Sequence, residues 1–157
     1  MIMKIVSPKG KYKDDNIYQD MANYCFNPEK CKDNLIVTRN LNQETAAQEM
    51  QELTERMGKS RGTRIRQTVI SFEDSDFATP EIAHYIAESA CDYFGEDYQI
   101  YGVVHQDQPH LHIHTVMNTV HKDTGKKYGG KKAEYFAFKD YMKRTAREFG
   151  MSFRTDY

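Results

Sequence analysis

Apolar and polar positions alternate with two different periods along this chain, and several changes of period fall at glycine or proline. A period of two residues, rich in valine, isoleucine and threonine, is typical of β-strands. Five segments follow that pattern: 2–7, 35–41, 64–72, 98–105 and 110–120. The last two are separated by the short stretch QDQP, which predicts a hairpin.

Between these strands, apolar residues recur every three to four positions, as expected for helices that bury one face. Four segments show this spacing: 14–25, 42–57, 80–94 and 133–149. The helix over 80–94 has the clearest boundaries. Thr79 is suited to cap it, Pro80 to occupy its first turn and Gly95 to end it.

The elements follow one another in the order β-α-β-α-β-α-β-β-α. This order predicts an α+β fold in which a central, mainly antiparallel five-stranded sheet is flanked by helices. No internal repeat or linker interrupts the pattern. We therefore expect residues 1–157 to form a single domain.

Composition indicates a soluble globular protein, with 39% hydrophobic and 29% charged residues in 157. No apolar run approaches the roughly 20 residues that span a bilayer, and the first residues lack the apolar run of a signal peptide. We therefore expect a cytoplasmic protein with no membrane insertion. Its three cysteines, Cys25, Cys31 and Cys91, are then expected to be reduced thiols.

The formal net charge is only −1, so the whole-chain balance does not indicate a nucleic-acid-binding protein. The basic residues are nevertheless clustered. One cluster comprises Lys59, Arg61, Arg64 and Arg66, and a second comprises Lys122, Lys126, Lys127, Lys131 and Lys132. Each cluster is either an ordinary solvated surface or a local contact for a phosphate backbone.

The most informative stretch is VVHQDQPHLHIHTVMNTV, which holds four of the six histidines. His110, His112 and His114 alternate, so in a strand they lie on one face, and His105 ends the preceding strand. Three imidazoles can bind a divalent transition metal and leave coordination positions open for catalysis. The spacing leaves open whether His105 or His110 completes the site. Asp107 is close enough in sequence to orient one of the imidazoles.

This stretch resembles the third motif of plasmid mobilisation and conjugative relaxases of the MobA/VirD2 type, in the HUH tyrosine nuclease superfamily. That motif reads H-x-D-x4-H-x-H-x3-N. Its positions are occupied in order by His105, Asp107, His112, His114 and Asn118. His110 is an additional histidine within the motif.

Two further stretches resemble the other motifs of the family. NYCFNPEKC is similar to the first motif, in which a tyrosine precedes an N-x-x-K turn. Here the tyrosine is Tyr24 and the lysine is Lys30, while Cys31 stands where the family often has threonine. TVISF is similar to the second motif, with its serine at Ser71. The resemblance covers nearly the whole chain, although relaxases usually continue beyond this core, so a catalytic fragment and a reduced form are both open.

The resemblance implies a DNA relaxase, a site-specific endonuclease that nicks and rejoins single-stranded DNA at the transfer origin of a plasmid or integrative element. Tyr24 would form a 5′-phosphotyrosyl intermediate, helped by Asp107. A divalent metal, Mn²⁺ or Mg²⁺ with Zn²⁺ as an alternative, would be held by His105, His112 and His114, with His110 as an extra candidate. The expected DNA contacts are Lys30, Ser71, Arg61, Arg64, Arg66, Asn118, Lys126, Lys127, Lys131 and Lys132. The expected partners are accessory relaxosome proteins and a coupling protein.

Several alternatives remain at this stage. Tyr12 and Tyr18 lie in the same N-terminal segment as Tyr24 and have the same chemistry. A rolling-circle replication initiator of the same superfamily would place its nucleophile after the histidines, among Tyr128, Tyr135 and Tyr141. Two further hypotheses are a metal-stabilised DNA-binding module without activity and a hydrolase of small phosphoesters.

Overall fold

The computed structural model describes residues 1–6 and 11–156. Within that part of the chain there are six strands, β1 (Ile2–Val6), β2 (Ile36–Arg39), β3 (Ile65–Ser71), β4 (Ile100–His105), β5 (His112–Asn118) and β6 (Arg154–Asp156). The same residues form four α-helices, α1 (Asn16–Cys25), α2 (Ala46–Arg56), α3 (Pro80–Phe94) and α4 (Lys132–Glu148). Ser7, the last residue of the first predicted strand, lies outside the described residues.

All six strands join one sheet in the order β2-β4-β5-β3-β1-β6. The first five strands pair antiparallel, while β6 pairs parallel to β1. The predicted α+β fold with a mainly antiparallel sheet is confirmed, and the predicted number of five strands is corrected to six. After α4 ends at Glu148, Gly150 adopts a φ of +68°, and the chain then returns to pair with β1 as the sixth strand.

The sheet separates two apolar cores. On one face, α3 and α4 pack through residues such as Ile86 and Met142. On the other face, α1 and α2 pack through residues such as Ile17 and Met50. The central strands β4 and β5 contribute alternate residues to the two cores and are therefore buried on both faces.

The predicted start of α3 forms as expected, because Thr79 Oγ1 accepts a hydrogen bond from the Ile82 amide and Pro80 begins the helix. The three cysteines are buried free thiols in the two cores. None of the helices in the described residues is long and apolar enough to cross a bilayer.

Candidate active site

Three histidines meet on the sheet face that α1 and α2 cover. His105 ends β4 directly opposite His112 on β5, and His114 is two residues farther along β5 on the same face. The ring centroids of His105 and His114 are 4.6 Å apart, and those of His112 are 5.3 Å and 5.1 Å from the other two. One ring nitrogen from each residue lies within 4.8 Å of the other two, so all three residues can share one ion.

Two of these imidazoles are oriented by hydrogen bonds at one nitrogen only. His105 Nε2 donates to the carbonyl oxygen of Cys25 at 2.9 Å, and this carbonyl belongs to the last turn of α1, which helical bonding leaves free. His114 Nδ1 accepts from Gln67 Nε2 at 2.9 Å. The remaining nitrogens, His105 Nδ1 and His114 Nε2, are buried without a hydrogen-bond partner among the described residues. Since buried polar atoms usually have partners, these two nitrogens fit a metal site.

Burial also favours the neutral imidazole, the form that binds metals. It lowers the pKa of His105 below its ordinary value. Burial, together with repulsion from His105 and His112, lowers the pKa of His114 to about 3. His105 and His114 therefore remain neutral in the folded protein, as metal ligands must.

The low pKa of His114 makes the stability of the metal-free protein depend on pH. In the unfolded chain this residue takes up a proton below about pH 6.5, whereas the folded protein resists protonation down to about pH 3. Stability is therefore lost as the pH falls through 6.5, and His114 alone should cost about 2 kcal/mol between pH 7 and pH 5. Urea unfolding with a chelator at a series of pH values measures this loss. His114→Gln should flatten the profile, and equal profiles for the variant and the wild type would contradict the prediction.

Tyr24 lies beside the histidine cluster, one residue before the end of α1. Its ring makes edge-to-face contacts with His105 and His114, with centroids 5.5 Å and 5.3 Å apart, and its side chain remains 41% exposed. The two rival tyrosines are buried instead. The Tyr12 hydroxyl donates to Gln67 Oε1, and Tyr18 bonds to Thr54. Of these three tyrosines, Tyr24 is the one that combines exposure with contact to the histidines.

Lys30 and Asp107 bring the first and third motifs together. Lys30 Nζ lies 3.0 Å from Asp107 Oδ2 and 5.3 Å from the centre of the Tyr24 ring. The other oxygen of Asp107 lies 3.7 Å from Nε2 of His112, so the imidazole that it faces is His112 rather than His105. The hydrogen bond from Lys30 lowers the pKa of Asp107, which keeps this carboxylate ionised.

A groove of about 650 Å³ opens beside the histidines. It is lined by Tyr24, by His112 and His114, and by Ser71, which lies directly opposite His112 at the end of β3. Residues of all three predicted motifs therefore line one surface that is large enough to receive a nucleotide.

His110 lies outside the group of three. It precedes the start of β5, is exposed, and its Nε2 pairs with Asp74 Oδ1 at 2.8 Å at the rim of the groove. In the sequence the alternating histidines begin at His110, but the strand β5 begins only at His112. The structure therefore groups His105, rather than His110, with His112 and His114.

The two predicted basic clusters lie next to each other in space. Arg66 stacks over the ring of Tyr128 at 5.1 Å, and Lys127 Nζ donates to the carbonyl oxygen of Thr63. They do not lie beside the histidines as expected, because Arg66 is near the start of β3 while Ser71, opposite His112, is at its end, about 17 Å along the strand. The surface that they form is therefore separate from the groove.

The basic residues also differ in how far their side chains are exposed. Arg61, Lys126, Lys131 and Lys132 are exposed. Arg64 is buried, where it pairs with Asp15 and donates to the carbonyl oxygens of Ser60 and Gly62. The expectation that Arg64 contacts DNA is thus corrected, since its guanidinium already holds the 60–64 turn.

Asn118 is also not available to a substrate. Its side chain is fully buried, and its amide donates to the carbonyl oxygen of Met50 and to Gln99 Oε1. Its own oxygen accepts from the Val120 amide. The expected DNA contact is corrected to a structural role that ties β5 to α2.

Asn118→Ala should therefore destabilise the fold by about 2–4 kcal/mol, because several buried polar groups lose their partners at once. Urea unfolding measures this loss, and the affinity of the folded variant for single-stranded DNA should match that of the wild type. Lys126→Ala is the matched control, since Lys126 is exposed and its loss should leave stability unchanged. A stable Asn118→Ala protein with impaired DNA binding would refute this role.

Two residues near the site were not identified from the sequence. Gln67 contacts His114 from β3, and Lys4 lies opposite Val69 on the same face of the sheet. Lys4 follows Ile2 at a spacing of two, which hinted at a shared face. Nothing in the local sequence distinguishes Gln67, because its significance depends on a pairing between distant strands.

Comparison with known proteins identifies the family of this chain. The chain matches the family model described as relaxase, MobA/VirD2-like, nuclease domain, over residues 24–151. Two curated relatives, each called Protein rlx, from Staphylococcus aureus, are 30% and 27% identical to it over 95 residues. The matched region is 60% of this chain but only 30% and 29% of the two relatives.

The fold is also similar to the solved structure reported as "Molecular Basis of Vancomycin Resistance Transfer in Staphylococcus aureus", with a TM-score of 0.54. The match covers 77% of this chain and 72% of that one at 11% sequence identity, so it speaks for the fold alone. The family model spans far more than half of the chain and includes Tyr24 and all three clustered histidines. The chain therefore belongs to the relaxase family and contains its MobA/VirD2-like nuclease domain.

Proposed function

We propose that residues 1–157 act as a single catalytic domain that nicks and rejoins one strand of DNA at the transfer origin of a plasmid or integrative element, in a metal-dependent reaction. The observation that carries the proposal is the contact of the exposed Tyr24 ring with His105 and His114. A nucleophile and a metal site that adjoin each other can act on the same phosphate.

Tyr24 is the nucleophile in this proposal. Its phenolic oxygen forms a bond to the scissile phosphorus while the bond from phosphorus to the 3′ oxygen breaks. The phenolic proton leaves, and the departing oxygen takes up a proton to become a free 3′ hydroxyl. The 5′ phosphate stays on Tyr24. Attack by a 3′ hydroxyl on the phosphotyrosine reverses the reaction without an energy cofactor, because the number of ester bonds at phosphorus is unchanged.

The three histidines supply ligands for Mn²⁺ or Mg²⁺, with Zn²⁺ also compatible with imidazole. When bound, such an ion withdraws charge from the non-bridging phosphate oxygens and so favours attack by a phenolate. Contacts within the protein prepare these histidines to bind such an ion. The Cys25 carbonyl holds His105 in place, and burial keeps His114 neutral.

Lys30 and Asp107 prepare the same site from its exposed side. The Lys30 ammonium group, near the Tyr24 ring, stabilises negative charge on the phenolate or the phosphate. Asp107 holds Lys30 and faces His112. Because its pKa is lowered, Asp107 is a poor proton acceptor, so it serves to position its neighbours rather than to deprotonate Tyr24.

Single-stranded DNA is the proposed substrate. Ser71 and Lys30 contact the strand near the groove, and the surface formed by Arg61, Arg66, Lys126, Lys127, Lys131 and Lys132 contacts phosphates farther along it. In the cell we expect accessory relaxosome proteins and a coupling protein as partners. Tyr141, on α4, packs against α3 on the sheet face opposite the histidines, which gives no support to a nucleophile there.

The test is incubation of the purified protein with Mn²⁺ and a pool of single-stranded oligonucleotides, followed by a denaturing gel. We expect a protein–DNA band that disappears with a chelator. If the metal only raises the melting temperature and no oligonucleotide is cut, the chain is a metal-stabilised DNA-binding module. Turnover of a small chromogenic diester without an adduct would instead indicate a phosphoesterase.

A further inference from the structure

Tyr128 separates two cavities at the end of the sheet where β3 begins and β5 ends. The basic cavity has a volume of about 250 Å³ and is lined by Arg66 and Lys127, and none of the described residues that line it is acidic. The aromatic cavity has a volume of about 460 Å³. Besides Tyr128, its aromatic residues are Tyr93, Phe94 and Tyr98, and its acidic residues are Asp97 and Glu134.

The basic cavity holds two cations in fixed positions. The guanidinium of Arg66 lies 5.1 Å from the centre of the Tyr128 ring, and a Cβ at Gly130 would clash with Arg66 Nη1. Lys127 Nζ donates to the carbonyl oxygen of Thr63. In the described part of the chain, neither cation forms an ion pair with a carboxylate. Cations that are held in this way suit a phosphate group.

The aromatic cavity presents several half-buried rings. Tyr128 meets Phe94 and Tyr98 edge to face, with centroids 5.8 Å and 5.6 Å apart, and Tyr93 packs on Phe94 at 4.9 Å. All four side chains are partly exposed, so a planar ligand can reach them. Aromatic rings beside a basic groove are the arrangement on which unpaired bases of a single strand stack.

Glu134 gives the aromatic cavity a preference among the bases. Its Oε2 accepts from the Lys131 amide at 2.7 Å, which fixes the carboxylate at the start of α4. A carboxylate has about four acceptor positions, so Glu134 can accept further bonds. Guanine presents two adjacent donors, N1–H and the N2 amino group, to such a group. Adenine and cytosine present one amino group beside a ring acceptor, and thymine presents an N–H between two carbonyls, so a carboxylate repels part of each edge.

We propose that the aromatic cavity binds one unstacked guanine of the single-stranded DNA, while the adjoining phosphate contacts Arg66 and Lys127. The base stacks on Tyr128 and donates to Glu134. This inference rests on the proposed function, whose substrate it specifies. Arg66 lies about 17 Å along β3 from Ser71 in the groove. At 3.4 Å per nucleotide, the selected guanine is about five nucleotides from the scissile phosphate.

The first test compares three labelled oligothymidylates that carry one central guanine, inosine or adenine, with a chelator present, by fluorescence anisotropy. The guanine strand should bind about 10-fold more tightly than the adenine strand. Inosine, which lacks the N2 amino group, should lie between them. Equal affinities would overturn the proposal. Free deoxyguanosine monophosphate should compete far less well than the guanine strand, and equal competition would show that the ligand is a free nucleotide.

Two variants with matched controls test the residues. Glu134→Gln can still accept from the Lys131 amide but cannot accept both guanine donors, so the preference for guanine over adenine should disappear. Glu148→Gln, the same change at an exposed position of α4, should keep it. Tyr128→Leu should weaken binding of the guanine strand about 5-fold or more, whereas Tyr85→Leu, at an exposed position of α3, should not. A preference retained in Glu134→Gln would reject the proposal.

These measurements need neither metal nor strand cleavage, so they separate this inference from the proposed function. If the three strands bind equally while Tyr24 forms its adduct with Mn²⁺ present, the guanine site alone is rejected. If guanine is preferred but no oligonucleotide is cut, the proposed nicking activity is rejected and the guanine site stands.

Discussion

Tyr24→Phe should abolish the protein–DNA adduct and slow nicking by about 10⁴-fold or more, because it removes the attacking oxygen and nothing else. The phenyl ring can keep the edge-to-face contacts with His105 and His114, so the site should retain its shape and its metal. An end-labelled single-stranded oligonucleotide and a denaturing gel measure both the cut strand and the adduct. Persistence of the adduct in this variant would remove the nucleophile from the proposed mechanism.

Tyr18→Phe is the matched control for this experiment. It makes the same chemical change on the same helix, at a side chain that is 2% exposed and hydrogen-bonded to Thr54. We expect a loss of about 1 kcal/mol in stability from the missing hydrogen bond and no loss of the adduct. A normal adduct in Tyr24→Phe and none in Tyr18→Phe would reverse the assignment.

The sequence predicted most of the site because the relevant signals are local. Alternation placed His112 and His114 on one face of a strand, and the short hairpin brought His105 opposite His112. The same reasoning could not exclude His110, since alternation does not tell where a strand begins. In the structure β5 starts at His112, and His110 belongs to the preceding turn.

Features that depend on distant parts of the chain were predicted less well. The strand β6 has three residues and no alternating pattern of its own, and it forms because β1 offers a free edge. Arg64 looked available for a DNA contact because it belongs to a basic cluster, and Asn118 because it occupies the last position of the third motif. Both are buried against partners that are far away in the sequence, Asp15 and Met50 among them.

The position of the basic clusters relative to the histidines could not be predicted from the sequence either. Sequence spacing indicated two groups of cations, and the structure brings them into contact through Arg66, Tyr128 and Lys127. Their distance from the histidines, however, is set by the register of β3 and β5. Because charge clustering carries no information about register, the sequence could not place this surface at the far end of the strands.

His112→Ala should lower Mn²⁺ affinity by more than about 100-fold and abolish nicking at ordinary metal concentrations, because loss of a ligand exceeds the 10–100-fold effect of an orienting partner. The remaining two histidines still face each other, so excess metal should restore part of the activity. Calorimetric titration with Mn²⁺ and the adduct assay measure the two effects separately.

The sequence left open whether His105 or His110 completes the metal site, and His110→Ala is the control that decides between them. Its imidazole is exposed and pairs with Asp74 at the rim, so its loss should leave Mn²⁺ affinity unchanged. Adduct formation should be unchanged as well if the metal is held by His105, His112 and His114. If His110→Ala lowers Mn²⁺ affinity as much as His112→Ala does, then His110 must move into the site when the metal binds. In that case the catalytic metal would not be held by His105, His112 and His114.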